Sequence, residues 1–453
     1  MSMNQSAAGR NKMGVMPVPK LLLSMAFPLM LSLLVQSLYN IVDSIYVAQI
    51  GEKALAATSL AYPLQILMIA LAVGTGVGIN ALISRLLGAG KREEVSRASA
   101  TGVMLAAASA LVFALAGILF SGPIARGMTG DPEIAEMCAT YLRVCMTFCL
   151  GTFMETMFQR FLQAAGRTTL SMISLVVGAV TNIVLDPIMI FGYYGCPAMG
   201  IEGAAIATVI GQWLGALTAV VLNCFRNPDV PVTFRGFRPE RKTVAAIYKV
   251  GLPTILMQAM GSIMSFGVNK LLADAVAVAF FGAYYKLQNF MFLPMNGLGQ
   301  ACLPIVGFNF GAKQGGRIKE TVRHALTWGA GFGLAASVVF FAIPGPLLRL
   351  FNASEEMLTI GVPAVRILCF TYALCAVTTI LGMVGSGLGN GVVNMMGAGL
   401  RQVILLLPCF ALLLHTAGLP AAWAAWWISE IGAMLYCIRT IRKEMKEKVD
   451  PIS

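Results

Sequence analysis

Apolar residues run along this chain in blocks too long for the interior of a soluble domain. In "LLLSMAFPLMLSLLVQSL", residues 21 to 38, no charged side chain occurs, and similar runs recur almost without interruption. A helix needs roughly 20 apolar residues to cross ~30 Å of hydrocarbon. The pattern predicts twelve such spans, at 21–48, 54–84, 98–120, 134–158, 168–192, 200–224, 244–271, 276–306, 322–343, 357–382, 394–415 and 419–440. The runs lack the period-two alternation of a membrane β-barrel, so the expected fold class is an all-α membrane protein. Composition agrees: 58% of the 453 residues are hydrophobic and 11% are charged, so most of the surface cannot face water. The first run is too long for a cleavable signal peptide and lacks a small-residue cleavage site.

The net charge of +12 raises the question of nucleic acid, and the placement of the charges answers it. Basic residues gather in alternate loops: Arg85, Lys91, Arg92 and Arg97; Arg226, Arg235, Arg238, Arg241, Lys242 and Lys249; Lys313, Arg317, Lys319 and Arg323; then Arg401 and the C-terminal tail. The loops between hold only Lys53, Arg126, Lys270 and Arg349. By the positive-inside rule the richer side is cytoplasmic and both termini lie there, in a plasma membrane of bacterial or archaeal type, with no nucleic-acid partner. An even number of spans requires the same result. "WAAWW" (423 to 427) then falls at the outer end of the last span as an interfacial aromatic anchor. The ten cysteines form no C-x-x-C pair. Cys138, Cys145 and Cys149 share a helix face without a histidine or carboxylate, which reads as packing rather than a metal site.

The second half echoes the first. "AYPLQILMIALAVGTGVGINALISRLLGAGKRE" (61 to 93) aligns with "AYYKLQNFMFLPMNGLGQACLPIVGFNFGAKQG" (283 to 315). Pro28 answers Pro253, Arg143 answers Arg366, Gly166 answers Gly389 and Pro187 answers Pro408. Each half holds an even number of crossings, so the expected architecture is two six-helix bundles related by a pseudo-twofold axis along the membrane normal. The expected domains are an N-terminal tail (1–19), an N-lobe (20–225), a basic linker (226–243), a C-lobe (244–441) and a C-terminal tail (442–453).

Charges inside the hydrocarbon cost roughly 3 kcal/mol on insertion scales, so each is a functional candidate until explained otherwise. They are Asp43, Arg143, Glu155, Asp186, Lys286, Arg366 and Glu430. Asp43 and Asp186 sit at similar depth, about 12 and 9 Å below the outer ends of the first and fifth spans at ~1.5 Å per residue. Gln36, Asn40 and Asp43 share one helix face, as do Gly178, Asn182 and Asp186. Their counterparts in the second half are about Val268 and Leu407, so the repeat keeps the prolines and drops the acids. Arg143 is the alternative, permanent partner for these acids. Glu155 reads as a structural salt bridge with Arg160, and Lys286 as a partner for Glu430.

"NIVDSIYVAQIG" (40 to 51), "NIVLDPIMIFG" (182 to 192), "GIEGAAIAT" (200 to 208) and the "GA" turns at Gly88 and Gly311, on a twofold repeat of six helices, resemble the multidrug and toxic compound extrusion (MATE) family. The resemblance runs from about Lys20 to Arg442. It implies an antiporter, not an enzyme, that exports small amphipathic, often cationic compounds against inward H⁺ or Na⁺, with no cofactor beyond that ion. Carried over by position, Asp43, Asn182, Asp186, Thr208 and Gln159 match the coupling-ion site, with any Na⁺ held at Asp43 and Asp186. Gln36, Tyr39, Asn40 and Met257 are candidates for the substrate cavity. The acids that the norfloxacin-exporter branch carries in its seventh and tenth helices are absent, so the chain looks closer to the branch named for DNA-damage-inducible protein F. A monomer in the bilayer is expected. The alternative on the same architecture is a flippase for a lipid-linked precursor, which wants a strongly basic cavity.

Overall fold

The computed structural model describes residues 11–235, 237–272, 274–351 and 353–453. Residues 1–10 of the expected N-terminal tail and Gly236 of the expected linker lie outside them. The chain is all-helical, 88% helix with no strands among the described residues. In the first half the helices are α1 (Val18–Ile50), α2 (Glu52–Gly88), α3 (Arg92–Met128), α4 (Pro132–Thr147), α5 (Leu150–Ala164), α6 (Thr168–Phe191) and α7 (Gly200–Arg226). In the second they are α8 (Arg241–Leu271), α9 (Ala275–Gly311), α10 (Gly315–Ala342), α11 (Glu355–Leu368), α12 (Thr371–Gly387), α13 (Val392–Gly399), α14 (Leu406–Ala417) and α15 (Ala425–Glu444). Short helices accompany them at Lys12–Val15, Pro344–Arg349 and Leu419–Ala422.

Ten helical stretches among the described residues are long and apolar enough to cross a membrane, and two bent pairs bring the number to twelve. The bent pairs are a departure from the expected pattern. The fourth span, expected as one helix at 134–158, is α4 and α5 at 46°, and the tenth, expected at 357–382, is α11 and α12 at 50°. Neither break carries a proline. A tryptophan takes up a backbone carbonyl at each instead: Trp213 Nε1 donates to Phe148 O at 3.1 Å, and Trp427 Nε1 donates to Ile367 O at 2.8 Å. An outside donor on a released carbonyl is a recognised cause of a kink, and the two halves use it at equivalent places.

Two compact units share the chain. One holds Leu31–Leu87 and Lys91–Gly251; the other holds the chain up to Met30, Gly88–Gly90 and Leu252–Ser453. The chain passes from one to the other inside α1, two residues after Pro28, and inside α8, two residues before Pro253. The first unit packs α6 against α7 through small residues: a Cβ on Gly211 would stand 2.8 Å from the Gly178 carbonyl oxygen, and one on Gly203 would stand 2.4 Å from that of Met189. Side chains that small let two backbones touch, which brings the polar residues between them into contact. At the loop before α4, Asp131 caps the helix by accepting from the N–H of Glu133 at 2.9 Å and Ile134 at 3.4 Å. These amides, then Lys53, hold its carboxyl below the usual aspartate range.

The second unit has an aromatic core in which Trp423 and Trp426 are 1% and 3% exposed. This corrects the expected interfacial anchor. Trp423 meets Phe280 edge-on at 5.2 Å, and Trp426 meets Phe410 edge-on at 5.6 Å, so burial of large rings in a core sets their place. The described part of the N-terminal tail is docked on this unit: Arg317 Nη2 donates to Met13 O at 3.1 Å and Met16 O at 2.6 Å. Near the other end of the chain Lys319 pairs with Asp450 at 2.8 Å.

Candidate functional site

In the first unit, α1 and α6 meet at their C-terminal ends. Tyr46 and Phe191 pack edge-on at 6.4 Å, and Val47 and Ile190 share one buried cluster. One turn back from Val47 is Asp43; one turn back from Ile190 is Asp186. The contact therefore carries the two carboxylates onto facing turns, and each lies within electrostatic reach of the other. Asp186 and Asn182 are 0% and 3% exposed. Asn182 Nδ2 donates to Asp186 Oδ1 at 3.1 Å and to Thr208 Oγ1 on α7 at 3.4 Å. The close backbone approach at Gly178 and Gly211, one turn away on each helix, makes the second bond reachable.

Three oxygens of this cluster are buried and receive no hydrogen bond among the described residues: Asp43 Oδ1, Asn182 Oδ1 and Asp186 Oδ2. A buried acceptor without a donor is costly. Two of the three belong to carboxylates, and hard oxygens of this kind suit a proton or a small cation such as Na⁺.

The remaining expected members divide. Gln159 donates its Nε2 to Glu155 Oε1 at 3.0 Å, and to neither aspartate. Glu155 was expected to form a salt bridge with Arg160; the structure turns it instead into the α6–α7 packing, where a Cβ on Gly215 would stand 2.5 Å from its Oε1. Tyr39 lies within electrostatic reach of Glu155, Asp43 and Asp186, which makes it a neighbour of the ion cluster as well as a cavity candidate. Gln36 is half-buried and Asn40 is exposed on α1. The alternative partner, Arg143, is exposed and donates its Nε to Ser121 Oγ at 3.4 Å. Its repeat counterpart Arg366 is also exposed and lies over the Phe341 ring at 5.5 Å. The pattern of charges did not single out Gln65 and Tyr141. Gln65 Nε2 reaches Tyr141 Oη at 3.3 Å, and Tyr141 senses the charge of Asp43. An uncharged polar residue in an apolar helix is a weaker signal than an acid, which is why they escaped notice.

In the second unit Met257 lines a separate cavity of about 280 Å³, together with Arg401, Gln402 and Glu430. Two expectations are corrected here. Glu430 is partnered by Arg401, Nε to Oε1 at 3.7 Å, and not by Lys286, which is exposed. Arg401, assigned above to a cytoplasmic loop, lies half-buried in the middle of the eleventh span with its side chain 15% exposed. It lies on a π turn, Leu400–Ile404, where Leu405 N–H reaches back five residues to Leu400 O at 3.2 Å. A single arginine in an apolar run can be read as a loop or as a buried partner, and the π turn is not visible in the sequence.

Comparison with known proteins follows the same lines. The family model MatE matches residues 28–188 and 250–411, one stretch in each half. The chain belongs to the MatE family. This MATE chain is 25% identical over 393 residues to the multidrug export protein MepA of Staphylococcus aureus strain MSSA476, covering 86% of this chain and 84% of MepA. It is 25% identical over 377 residues to the probable multidrug resistance protein NorM of Thermotoga maritima, covering 82% and 81%. These relatives carry the names MepA and NorM, not that of the DNA-damage-inducible protein F branch. A crystal structure of MATE in complex with MaL6 matches the fold with TM-score 0.89 at 24% identity over 99% of both chains. A MOP superfamily transporter from Pyrococcus furiosus matches with TM-score 0.87 at 24% identity over 98% of both. The MATE fold is two-lobed, in keeping with the repeat.

Proposed function

We propose that this MATE transporter exports amphipathic, often cationic compounds by antiport with H⁺ or Na⁺, with the ion exchanging at Asp43 and Asp186. The observation that carries the reading is that Asp43 Oδ1, Asn182 Oδ1 and Asp186 Oδ2 are buried acceptors that receive no hydrogen bond among the described residues, with Asp186 feeling the charge of Asp43. Arg143 donates to Ser121, so its guanidinium does not compete for the acids. Asn182 holds Asp186 in place and Thr208 ties α6 to α7 beside it.

The mechanism follows from charge. With both carboxylates ionised, repulsion between them favours capture of a cation or proton. Loading the site removes that repulsion and lets α1 reseat, with Pro28 inside the helix supplying a point where backbone bonding is already interrupted. Two conformations with different affinities for the ion are the requirement for alternating access. In this reading the loops rich in lysine and arginine, and both termini, face the cytoplasm. Gln36, Tyr39 and Asn40 line the path of the exported compound.

Dye efflux tests it, in cells expressing the wild type or Asp43→Asn, with the proton and sodium gradients collapsed separately. The wild type is expected to lose efflux when its coupling gradient is removed. The variant is expected to insert at normal levels and export nothing above background. Full export by Asp43→Asn would overturn the assignment of the site; efflux indifferent to both gradients would overturn antiport.

A further inference from the structure

The cavity in the second unit has a role of its own. Part of its polar wall comes from Arg401 and Gln402 on the π turn, Asn394 on α13 and Glu430 on α15, and the rest from polar residues of α8, α9 and α12. Glu430 is 2% exposed, and its Oε1 stands 3.7 Å from Arg401 Nε, too far for a direct hydrogen bond. Three atoms of the wall are buried without a partner among the described residues: Glu430 Oε2, Gln402 Oε1 and Asn394 Nδ2. A buried ion pair is often no more stabilising than apolar packing of the same volume, so a loosely made one inside a membrane span calls for another use.

The unmet valences are of both signs. Glu430 Oε2 and Gln402 Oε1 want donors; Asn394 Nδ2 wants an acceptor, and the Arg401 guanidinium, over the Phe292 ring at 5.6 Å and against Cys375, offers more donors. A simple cation would leave Asn394 unmet and face the arginine. A simple anion would leave Glu430 and Gln402 unmet and face a carboxylate. We propose that this cavity binds a small zwitterion, its ammonium group donating to Glu430 and Gln402 and its carboxylate accepting from Arg401 and Asn394. The volume of about 280 Å³ is at the small end of ligand sites, and Phe292 and Trp426 in the wall suit an apolar or aromatic side group. The site is distinct from the acid cluster of the first unit and uses none of its residues.

Isothermal titration calorimetry on the purified full chain in detergent tests it, with three probes of one shape: L-phenylalanine, its methyl ester, which keeps only the ammonium, and N-acetyl-L-phenylalanine, which keeps only the carboxylate. Saturable binding of phenylalanine, at least about tenfold tighter than either derivative, is the expected result, since each derivative forfeits one charged hydrogen-bonding group. Glu430→Gln is expected to weaken phenylalanine by about tenfold and to bring it level with the N-acetyl derivative, since both then bind chiefly through the carboxylate. Asn394→Ala and Gln402→Ala, which spare the ion pair, are each expected to weaken it by roughly threefold or more, and they serve if the charge variant does not fold. Absence of saturable binding overturns the proposal. So does an ester that binds as tightly as phenylalanine, which marks a cation site, or an N-acetyl derivative that does so, which marks an anion site. No ion gradient enters the measurement, so its failure leaves the antiport reading standing, and the failure of antiport leaves this one.

Discussion

At the scale of single residues, the first-unit site turns on the side chain that organises it. Asn182 spends its amide N–H groups on Asp186 and Thr208. In Asn182→Ala the Asp186 Oδ1 joins Oδ2 without a donor, at a cost of about 1–3 kcal/mol. A thermal melt of the purified variant should fall by several degrees and efflux should drop sharply, because the carboxylate is no longer held in place. Arg143→Ala, by contrast, removes an exposed side chain bonded only to Ser121 among the described residues. Ion-driven efflux in Arg143→Ala is expected to stay within about twofold of wild type, the range typical of a surface change, and abolition of transport would show that the arginine serves the acids after all. Asp43 and Asp186 stood out as candidates in the sequence because an acid in an apolar run has few excuses, and Asn182 because it shares a face with Asp186; Thr208 came only from the family resemblance. Arg401 did not stand out, because a basic residue between two apolar stretches reads as a loop until a π turn is seen to swing it inward.

Helices α4 and α5 illustrate how elements escape a reading by pattern. Hydropathy is continuous across Thr147 to Leu150, so the run reads as one span, and the bend depends on an indole contributed by a helix more than sixty residues away. The same device recurs at Ile367, with Trp427 as donor. Phenylalanine in place of Trp427 retains most of the ring and forfeits the N–H; about 1 kcal/mol of stability should go with it. A melt lowered in Trp427→Phe beside an unchanged melt for a conservative change at exposed Leu412 would assign the loss to that bond. The α6–α7 seam is stricter. Any side chain at Gly211 meets the Gly178 carbonyl at 2.8 Å, so Gly211→Leu must push the helices apart, costing about 1–3 kcal/mol or more. It also breaks the Asn182–Thr208 bond, so ion-dependent efflux should fail in whatever fraction of the protein still folds.

Across the whole molecule, the two halves repeat their helices and bends but not their chemistry, and the structure gives the physical reason. Where the first half holds Asp43 and Asp186, the second holds Val268, 0% exposed, and Leu407, whose side chain lies 2.8 Å from where a Cβ on Gly267 would be. That place is filled with apolar packing, and the polar cavity of the second half has moved to Arg401 and Glu430. A reciprocal exchange therefore has opposite outcomes for stability. Asp43→Val removes a buried acceptor that has no donor among the described residues, so the melting temperature should hold or rise while ion-driven efflux is lost. Val268→Asp inserts a carboxylate into closed packing in a membrane span, at roughly 3 kcal/mol or more, so its yield and melting temperature should both fall. Size-exclusion profiles and melts of the two variants decide the matter. If Val268→Asp melted like the wild type while Asp43→Val collapsed, the acids of the first half would be part of its scaffold, and the division of labour between the repeats would have to be drawn the other way.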